Sequence, residues 1–278
     1  MKTNIILWII LFLAINVYSQ NEKHLVVLHV NDTHSRIEPM PDNDSRNPNE
    51  GGMARNEAYI QSVKKENPNT LAFHAGDFVQ GTPYFNMFKG EAEVALMNLT
   101  GFDAACIGNH EFDYGLTVMA KMFKQAKFPI IATNYDFSNT PLKDLTKEYL
   151  IIKRGGLKIG VIGIGIDPEG LVARNNYEGM IFLHPAEMAN RMALFLKEKK
   201  KCDLVICLSH LGYNPDVQLA KETKNIDMII GAHSHTFMSK PFRTKNADGK
   251  EIVINQMGKN GIYVGRLDIT LGEKGNDK

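Results

Sequence analysis

Five short apolar runs in this chain each end in histidine, aspartate or asparagine, and this repetition constrains the fold more than any other feature. The most polar of these ends is Gly108-Asn109-His110-Glu111-Phe112-Asp113, which follows the apolar run 104–107. Short apolar runs are typical of buried strands. A sharp turn at Gly108 would place Asn109 and His110 at the carboxyl edge of a sheet, where open α/β sheets bind ligands.

The other four runs end in the same kinds of residue. The runs 24–30, 70–75, 203–208 and 227–230 lead, in order, into Asn31-Asp32-Thr33-His34, Gly76-Asp77, Ser209-His210 and Gly231-Ala232-His233-Ser234-His235. In extended backbone, residues two apart point the same way. Asp32 and His34 are therefore predicted to project as a pair, and so are His233 and His235.

The segments between these strands predict an α/β fold. Apolar residues recur at helical spacing over residues 53–66, 91–99, 116–127 and 185–200. Further strands are predicted at 129–133, 149–153, 157–164, 251–255 and 263–271, and the segment 167–183 is predicted to be irregular. The polar segment 35–51 is predicted to be a loop, either a rim of the site or a mobile stretch.

The first 19 residues differ from the rest of the chain. Lys2 precedes an apolar run over residues 5–15, and small residues follow near Ser19. Eleven apolar residues are too few for a membrane span, which needs about 20. We therefore expect residues 1–19 to be a signal peptide and residues 20–278 to be one domain, exported to the periplasm or the exterior without a stable membrane anchor. An uncleaved amino-terminal anchor is the weaker alternative.

The charge balance bears on the binding of nucleic acid, and the cysteine count bears on the presence of disulfides. Without Lys2 the chain has 31 acidic residues and as many basic ones, with no polybasic run. Long nucleic acid is therefore not an expected partner. The three cysteines Cys106, Cys202 and Cys207 are an odd number, and we expect buried free thiols rather than a disulfide framework.

The polar strand ends supply a set of metal-binding side chains without a thiolate. They are Asp32, His34, Asp77, Asn109, His110, His210, His233 and His235. Carboxylate and amide oxygens with imidazole nitrogens suit divalent cations, and the set is too large for a single tetrahedral site. Two cations roughly 3.5 to 4 Å apart, bridged by a carboxylate, are used for in-line displacement at phosphorus.

In this order, the motifs resemble the five motifs of the calcineurin-like metallophosphoesterases. Gly51-Gly52-Met53-Ala54-Arg55 and the Asn109 to Asp113 motif are similar to the catalytic domain of bacterial periplasmic 5'-nucleotidases and UDP-sugar hydrolases. The resemblance spans residues 25–271. It implies a four-layer αββα sandwich with mixed sheets in a single domain.

The resemblance also implies a role for each motif residue. One cation would be held by Asp32, His34, Asp77 and His235, and the other by Asp77, Asn109, His210 and His233. A hydroxide between the two cations is the implied nucleophile. His110 would stabilise developing charge and supply a proton, while Asp113 orients it. Whether the metals are Mn, Zn, Fe, Co or Mg is left open by this donor set.

Other residues near the motifs receive structural interpretations. His24, His29, His74 and His184 are read as structural, with His29 and His74 also considered as supports for the ligands. Glu111 is predicted to be a solvated or helix-capping side chain. Arg55 is expected to pair with a carboxylate in preference to a phosphate.

Three functions remain open from the sequence. The favoured one is an exported phosphomonoester hydrolase resembling 5'-nucleotidases, acting on a small phosphate ester with a nucleotide as first candidate. The second is a 2',3'-cyclic-nucleotide phosphodiesterase or UDP-sugar hydrolase. Family members that hydrolyse nucleotides usually add a carboxy-terminal nucleoside-binding domain, which is expected to be absent here. The third is therefore the catalytic half of a complex whose separate chain supplies that domain.

Overall fold

The first strand sets the layering of the molecule, because its side chains alternate between two apolar cores. The computed structural model describes residues 22–272, and the expected signal peptide lies outside them. In β1 (Lys23–Val30), Leu25 and Val27 pack into one core, whereas Val26 and Leu28 pack into another. Burial on both faces means that this sheet is covered on both sides.

The first half of the chain builds one sheet and its covering helices. After β1 come α1 (Met53–Glu66), β2 (Thr70–His74), α2 (Pro83–Phe88), α3 (Glu91–Thr100), β3 (Ala104–Cys106), α4 (Gly115–Phe123) and β4 (Ile130–Ile131). Strands β1 to β4 are parallel and lie in chain order. Parallel neighbours need crossover connections, which the helices provide.

The second half builds a second mixed sheet and closes the first. Its elements are β5 (Tyr135–Asp136), β6 (Tyr149–Arg154), β7 (Leu157–Ile164), β8 (Ile181–Phe182), α5 (Pro185–Leu194), β9 (Leu204–Ser209), α6 (Tyr213–Glu222), β10 (Met228–Ile230), β11 (Phe242–Lys245), β12 (Glu251–Asn255) and β13 (Gly265–Leu271). The second sheet has the order β11-β12-β10-β9-β7-β6. Strand β13 pairs antiparallel with β1, and β5 pairs with β8.

Three apolar cores separate four layers. The central core joins residues of both sheets, including Phe73 and Ile206. One outer core packs α1, α3 and α4 on the first sheet, and the other packs α5 and α6 on the second. Each fully buried large apolar side chain contributes roughly 1.5 to 3 kcal/mol to folding. The predicted four-layer αββα sandwich with mixed sheets is confirmed.

Several predicted boundaries need correction. The helix predicted at 116–127 ends at Phe123, where the chain tightens into three-residue turns such as Ala126 N to Phe123 O. The helix predicted at 185–200 is α-helical only to Leu194 and ends in a π-helical turn over Phe195–Lys199. The last strand begins at Gly265 rather than Tyr263.

Some elements were not predicted at all. Helices α2 and α6 and strand β11 are short or weakly patterned, and Pro215 lies in the first turn of α6. Strand β8 lies inside the segment predicted to be irregular. All three cysteines are buried and free, as predicted. Within residues 22–272, no helix combines the length and apolarity that a bilayer span requires.

Candidate metal centre

The five polar strand ends meet at one edge of the two facing sheets. Strands β1, β2 and β3 run parallel in the first sheet, and β9 and β10 run parallel in the second. The carboxyl ends of parallel strands share an edge, so the residues after them converge. The residues brought together are Asp32, His34, Asp77, Asn109, His110, His210, His233 and His235.

One cluster forms around Asp32. The ligand atoms of Asp32, His34 and His235 all lie within 4.8 Å of one another. His34 Nε2 is 2.9 Å from His235 Nε2, and His235 Nε2 is 3.5 Å from Asp32 Oδ1. Two imidazole nitrogens and a carboxylate oxygen therefore converge on one point.

A second cluster forms around Asp77, beside the first. His210 Nε2 is 3.1 Å from Asp77 Oδ2, and His233 Nδ1 is 2.9 Å from Asn109 Oδ1. Asp77 also groups with His34, so its carboxylate lies between the two clusters. This is the place that a bridging ligand would occupy.

The backbone conformation at these residues differs from the extended one that was predicted. Asp32, His34, Asp77, His233 and His235 all have positive φ angles, between 48° and 68°. This left-handed conformation is uncommon for residues other than glycine and costs roughly 1 to 3 kcal/mol at each such position. Asp32 does lie close to His34, as predicted, but the extended backbone from which this was predicted is wrong. The pairs converge on tight turns.

Gly108 also acts for a different reason from the one predicted. Its φ angle is not among the positive ones, so no special turn requires glycine. A Cβ atom there would clash with Asp77 Oδ1 and would lie 2.7 Å from His210 Cε1. Gly108 is needed because the Asp77 carboxylate and the His210 ring occupy that space.

Glu111 is buried, which contradicts the prediction of a solvated or capping side chain. Its exposed fraction is 2%, and its carboxylate accepts hydrogen bonds from the backbone N–H groups of Asp77, Phe78 and Gly108. Burial raises the pKa of Glu111 to about 7. Glu111 thus ties the loop of Asp77 to the loop of Asn109.

His110 lies at the edge of the centre and is oriented from behind. Its backbone N–H donates to Asp77 Oδ1 at 2.9 Å, and its Nδ1 donates to Asp113 Oδ2 at 3.0 Å. Burial lowers the pKa of His110, but the hydrogen bond to Asp113 and nearby carboxylates outweigh burial and raise it overall. The imidazole is thereby kept able to donate a proton.

His210 is fixed with one nitrogen directed inward. Its Nδ1 donates to Ala75 O at 2.7 Å, and its buried Nε2 faces Asp77 Oδ2 at 3.1 Å. Burial lowers the pKa of His210. The carboxylates of Asp77 and Asp32 and the hydrogen bond to Ala75 together outweigh burial and raise this pKa to about 10. For His34 and His233, burial lowers the pKa.

These residues fit divalent cations. Asp32 and Asp77 are buried, and within residues 22–272 neither forms an ion pair with a lysine or arginine. Buried carboxylates require a compensating charge. The carboxylate oxygens and imidazole nitrogens that lie within 4.8 Å of one another here are the kinds of donor that divalent cations bind.

The sequence did not indicate one support of the centre. Asn31 donates from Nδ2 to Asp32 Oδ2 at 2.6 Å and to Gly258 O at 2.7 Å. It also accepts from the Met257 backbone N–H. Asn31 therefore joins β1 to the segment after β12. Its position next to Asp32 was the available signal.

The other residues considered near the motifs have mixed outcomes. His74 has its pKa lowered to about 3 by burial and bonds to Thr33 between two expected ligands. His29 contacts Asn255 at 3.1 Å and bonds to no expected ligand. Arg55 donates to the carbonyl groups of Asn49, so its predicted pairing with a carboxylate is wrong.

Comparisons with known proteins agree with this geometry. A family model described as calcineurin-like phosphoesterase matches residues 25–237. The chain is 30% identical to the trifunctional nucleotide phosphoesterase protein YfkN of Bacillus subtilis, covering 90% of this chain and 18% of that protein. It is 30% identical to human 5'-nucleotidase, covering 91% of this chain and 47% of that protein.

A solved structure has the same architecture. The 5'-nucleotidase precursor of Thermus thermophilus superposes with a TM-score of 0.80 and 32% identity, covering 91% of this chain and 52% of that one. The chain thus spans about half, or less, of the length of these relatives. From its fold, the convergence of its five motifs and these matches, the chain belongs to the calcineurin-like phosphoesterase family.

Proposed function

We propose that this protein hydrolyses phosphate monoesters with two divalent cations, in the manner of a 5'-nucleotidase. The observation that carries the proposal is the convergence of two ligand clusters on the Asp77 carboxylate, with the His110–Asp113 pair beside them. The 5'-nucleotidases among the relatives support a nucleotide as the substrate. Because the chain spans about half of those relatives, nucleotide preference is part of the proposal.

The proposal assigns each cluster one cation. Asp32, His34 and His235, with Asp77, would hold the first, and His210, His233 and Asn109, with Asp77, would hold the second. Bound cations of this kind polarise the phosphoryl group and lower the pKa of water at neutral pH. Mn, Zn, Fe, Co and Mg all tolerate oxygen and imidazole donors, so the assay must include several metals.

Other groups of the chain would orient the metal ligands and transfer a proton to the leaving oxygen. The Ala75 carbonyl accepts from His210 Nδ1 and leaves Nε2 as the donor atom to a cation. His110, oriented by Asp113, would stabilise the charge that develops on phosphoryl oxygens and protonate the leaving oxygen. Glu111 fixes the loops of Asp77 and Asn109 against each other.

A substrate panel tests this function. The full chain is stripped with a chelator, reloaded in turn with Mn²⁺, Zn²⁺, Fe²⁺, Co²⁺ or Mg²⁺ and assayed with 5'-AMP, UDP-glucose, 2',3'-cyclic AMP and p-nitrophenyl phosphate. We expect metal-dependent release of phosphate from 5'-AMP. Faster turnover of the cyclic or UDP-sugar substrate would favour the alternative activities. A folded, metal-loaded chain that turns over none of them would refute the proposal.

The possible partner chain and the export of the protein can each be tested directly. A separate chain that supplies a nucleoside-binding domain would co-purify with the protein and raise its activity towards 5'-AMP. Export rests on the apolar run at residues 5–15. Amino-terminal sequencing of the protein secreted by an expressing cell should begin at Gln20, whereas an intact Met1 would contradict cleavage.

A further inference from the structure

An exposed aromatic pair lies beside His235. The rings of Phe237 and Tyr263 stack with centroids 4.1 Å apart and planes 26° apart. Phe237 nevertheless remains 49% exposed and Tyr263 40% exposed. Two exposed rings in contact form a contiguous apolar patch, and such a patch beside a polar site is where a ligand can bind.

The pair lines a cavity that reaches the candidate metal centre. The cavity has a volume of about 800 Å³, within the range of small-molecule sites. Its lining includes His235, the two rings and residues from two loops, namely Arg46, Asn47, Lys259 and Asn260. The loop 35–51 thus contributes to the rim, one of the two roles considered for it.

The aromatic pair is held in a fixed position relative to the metal ligands. Gly258 N donates to Thr236 O at 3.0 Å, which ties together the two segments that carry the rings. Asn260 N donates to Asp32 O at 2.8 Å, which ties them to a ligand. Phe237 follows His235 by two residues, so their Cα atoms are at most about 7 Å apart.

The surroundings of the rings favour a small polar molecule over a protein surface. Arg46, Asn47, Lys259 and Asn260 offer hydrogen-bond donors around a single apolar platform. The nearby carboxylate of Asp44 already accepts from the backbone N–H groups of Arg46 and Asn47. A ligand with one flat aromatic ring and several acceptors matches this lining.

We propose that Phe237 and Tyr263 form a stacking platform for an aromatic ring carried by the alcohol part of the phosphate ester, with the nucleobase of a nucleoside as the best match. The inference rests on the proposed function, because a phosphate held by the metal centre would direct the rest of its ester towards the rings. The platform would make the catalytic unit itself selective for phosphate esters whose alcohol carries an aromatic ring. Stacking on aromatic side chains tolerates any base.

Kinetics with two substrates test the platform. Phe237→Ala and Tyr263→Ala are compared with the wild-type chain on 5'-AMP and on glycerol 3-phosphate, which has no ring. We expect KM for 5'-AMP to rise roughly fivefold to hundredfold in each variant. The kinetic constants for glycerol 3-phosphate should not change, which also shows that the variant is folded.

Matched variants separate the ring from other effects. Tyr263→Phe keeps the ring and should keep the wild-type KM for 5'-AMP. Phe88→Ala removes an aromatic side chain of similar exposure, 45%, that does not line this cavity, and it should have no effect. An unchanged KM for 5'-AMP in both alanine variants at positions 237 and 263 would overturn the proposal, and so would an equal rise for both substrates.

A binding measurement separates this proposal from the enzymatic one. Adenosine, which carries no phosphate, is titrated into the metal-free full chain by calorimetry. We expect binding to the wild-type chain that weakens at least fivefold in Phe237→Ala. No detectable binding, or equal binding by both, would overturn the platform. Failure of the wild-type chain to turn over any ester would instead refute the proposed function.

Discussion

At the residue scale, the proton transfer that we propose relies on the hydrogen bond from His110 Nδ1 to Asp113 Oδ2. His110→Ala removes the proton donor but none of the expected metal ligands. We therefore expect kcat for 5'-AMP to fall by roughly 10² to 10⁴. The metal content should remain that of the wild-type chain. A kcat within a factor of a few of the wild-type value would contradict the assigned role.

In the proposed function Asp113 acts through the pKa of His110, so a variant at Asp113 should alter the pH profile of kcat. The hydrogen bond that His110 donates to Asp113 raises the pKa of His110, and Asp113→Asn would lower it. A proton donor loses activity as pH rises through its pKa. The alkaline limb of the kcat profile should therefore move to lower pH in Asp113→Asn. An unmoved limb would show that Asp113 has a structural role only.

Glu111 receives three backbone N–H groups from two loops and should be sensitive to a one-atom change. Glutamine can accept at only one side-chain position, so Glu111→Gln leaves buried N–H groups without a partner. We expect a loss of about 1 to 3 kcal/mol in the free energy of unfolding. Metal affinity should fall roughly tenfold to hundredfold. The exposed Glu187→Gln in α5 is the matched control, and equal effects in both would contradict this role.

At the element scale, Asp216 connects α6 to the second sheet. It is buried, accepts from Ser209 Oγ at the end of β9, and has a second oxygen without a partner in the described part of the chain. Burial raises the pKa of Asp216 to about 7. The folded state then binds a proton that the unfolded state has released above about pH 4, so folding stability falls as pH rises towards 7.

Asp216→Asn removes this pH dependence. Between pH 5 and pH 8 the wild-type chain should lose roughly 2 kcal/mol of unfolding free energy that the variant keeps. Urea unfolding of both proteins at each pH, with metal held constant, measures the difference. Parallel pH dependences in the two proteins would show that the Asp216 carboxyl is not the group responsible.

The elements best predicted from sequence are those with the strongest local pattern. Helix α1 has the predicted bounds because Ile60 and Val63 repeat at helical spacing and Asn67-Pro68 ends the pattern. Helix α6 lacks such a signal. The placement of Glu111 could not be predicted, because its partners Asp77 and Phe78 lie 34 and 33 residues away along the chain. Only the assembled sheet brings these loops together.

At the scale of the whole molecule, the predicted assembly of the strand ends follows from topology. Parallel strands share a carboxyl edge, so the clusters of Asp32 and Asp77 could be predicted without knowing any side-chain geometry. The left-handed backbone of His34 and His235 could not, because a positive φ angle is uncommon for any residue other than glycine. The sequence therefore predicted which residues meet, and the three-dimensional packing determines how.

The same convergence should make metal a structural component of the fold. The two clusters contain residues that follow strands of both sheets. The cations would therefore bind the folded chain but not the unfolded one, and binding would stabilise the fold. At a free metal concentration 100 times Kd, one site adds about 2.7 kcal/mol. We expect a chelator to lower Tm by several degrees, and Mn²⁺ to restore it. A Tm indifferent to metal would argue against cations between the sheets.

The number of cations bound per chain tests the central claim most directly. Calorimetric titration of the metal-free full chain with Mn²⁺, checked by elemental analysis after gel filtration, should give two equivalents. Asp77→Asn, which removes the shared carboxylate, should weaken both sites. A stoichiometry of one or zero in the folded wild-type chain would contradict a dinuclear centre built from these strand ends.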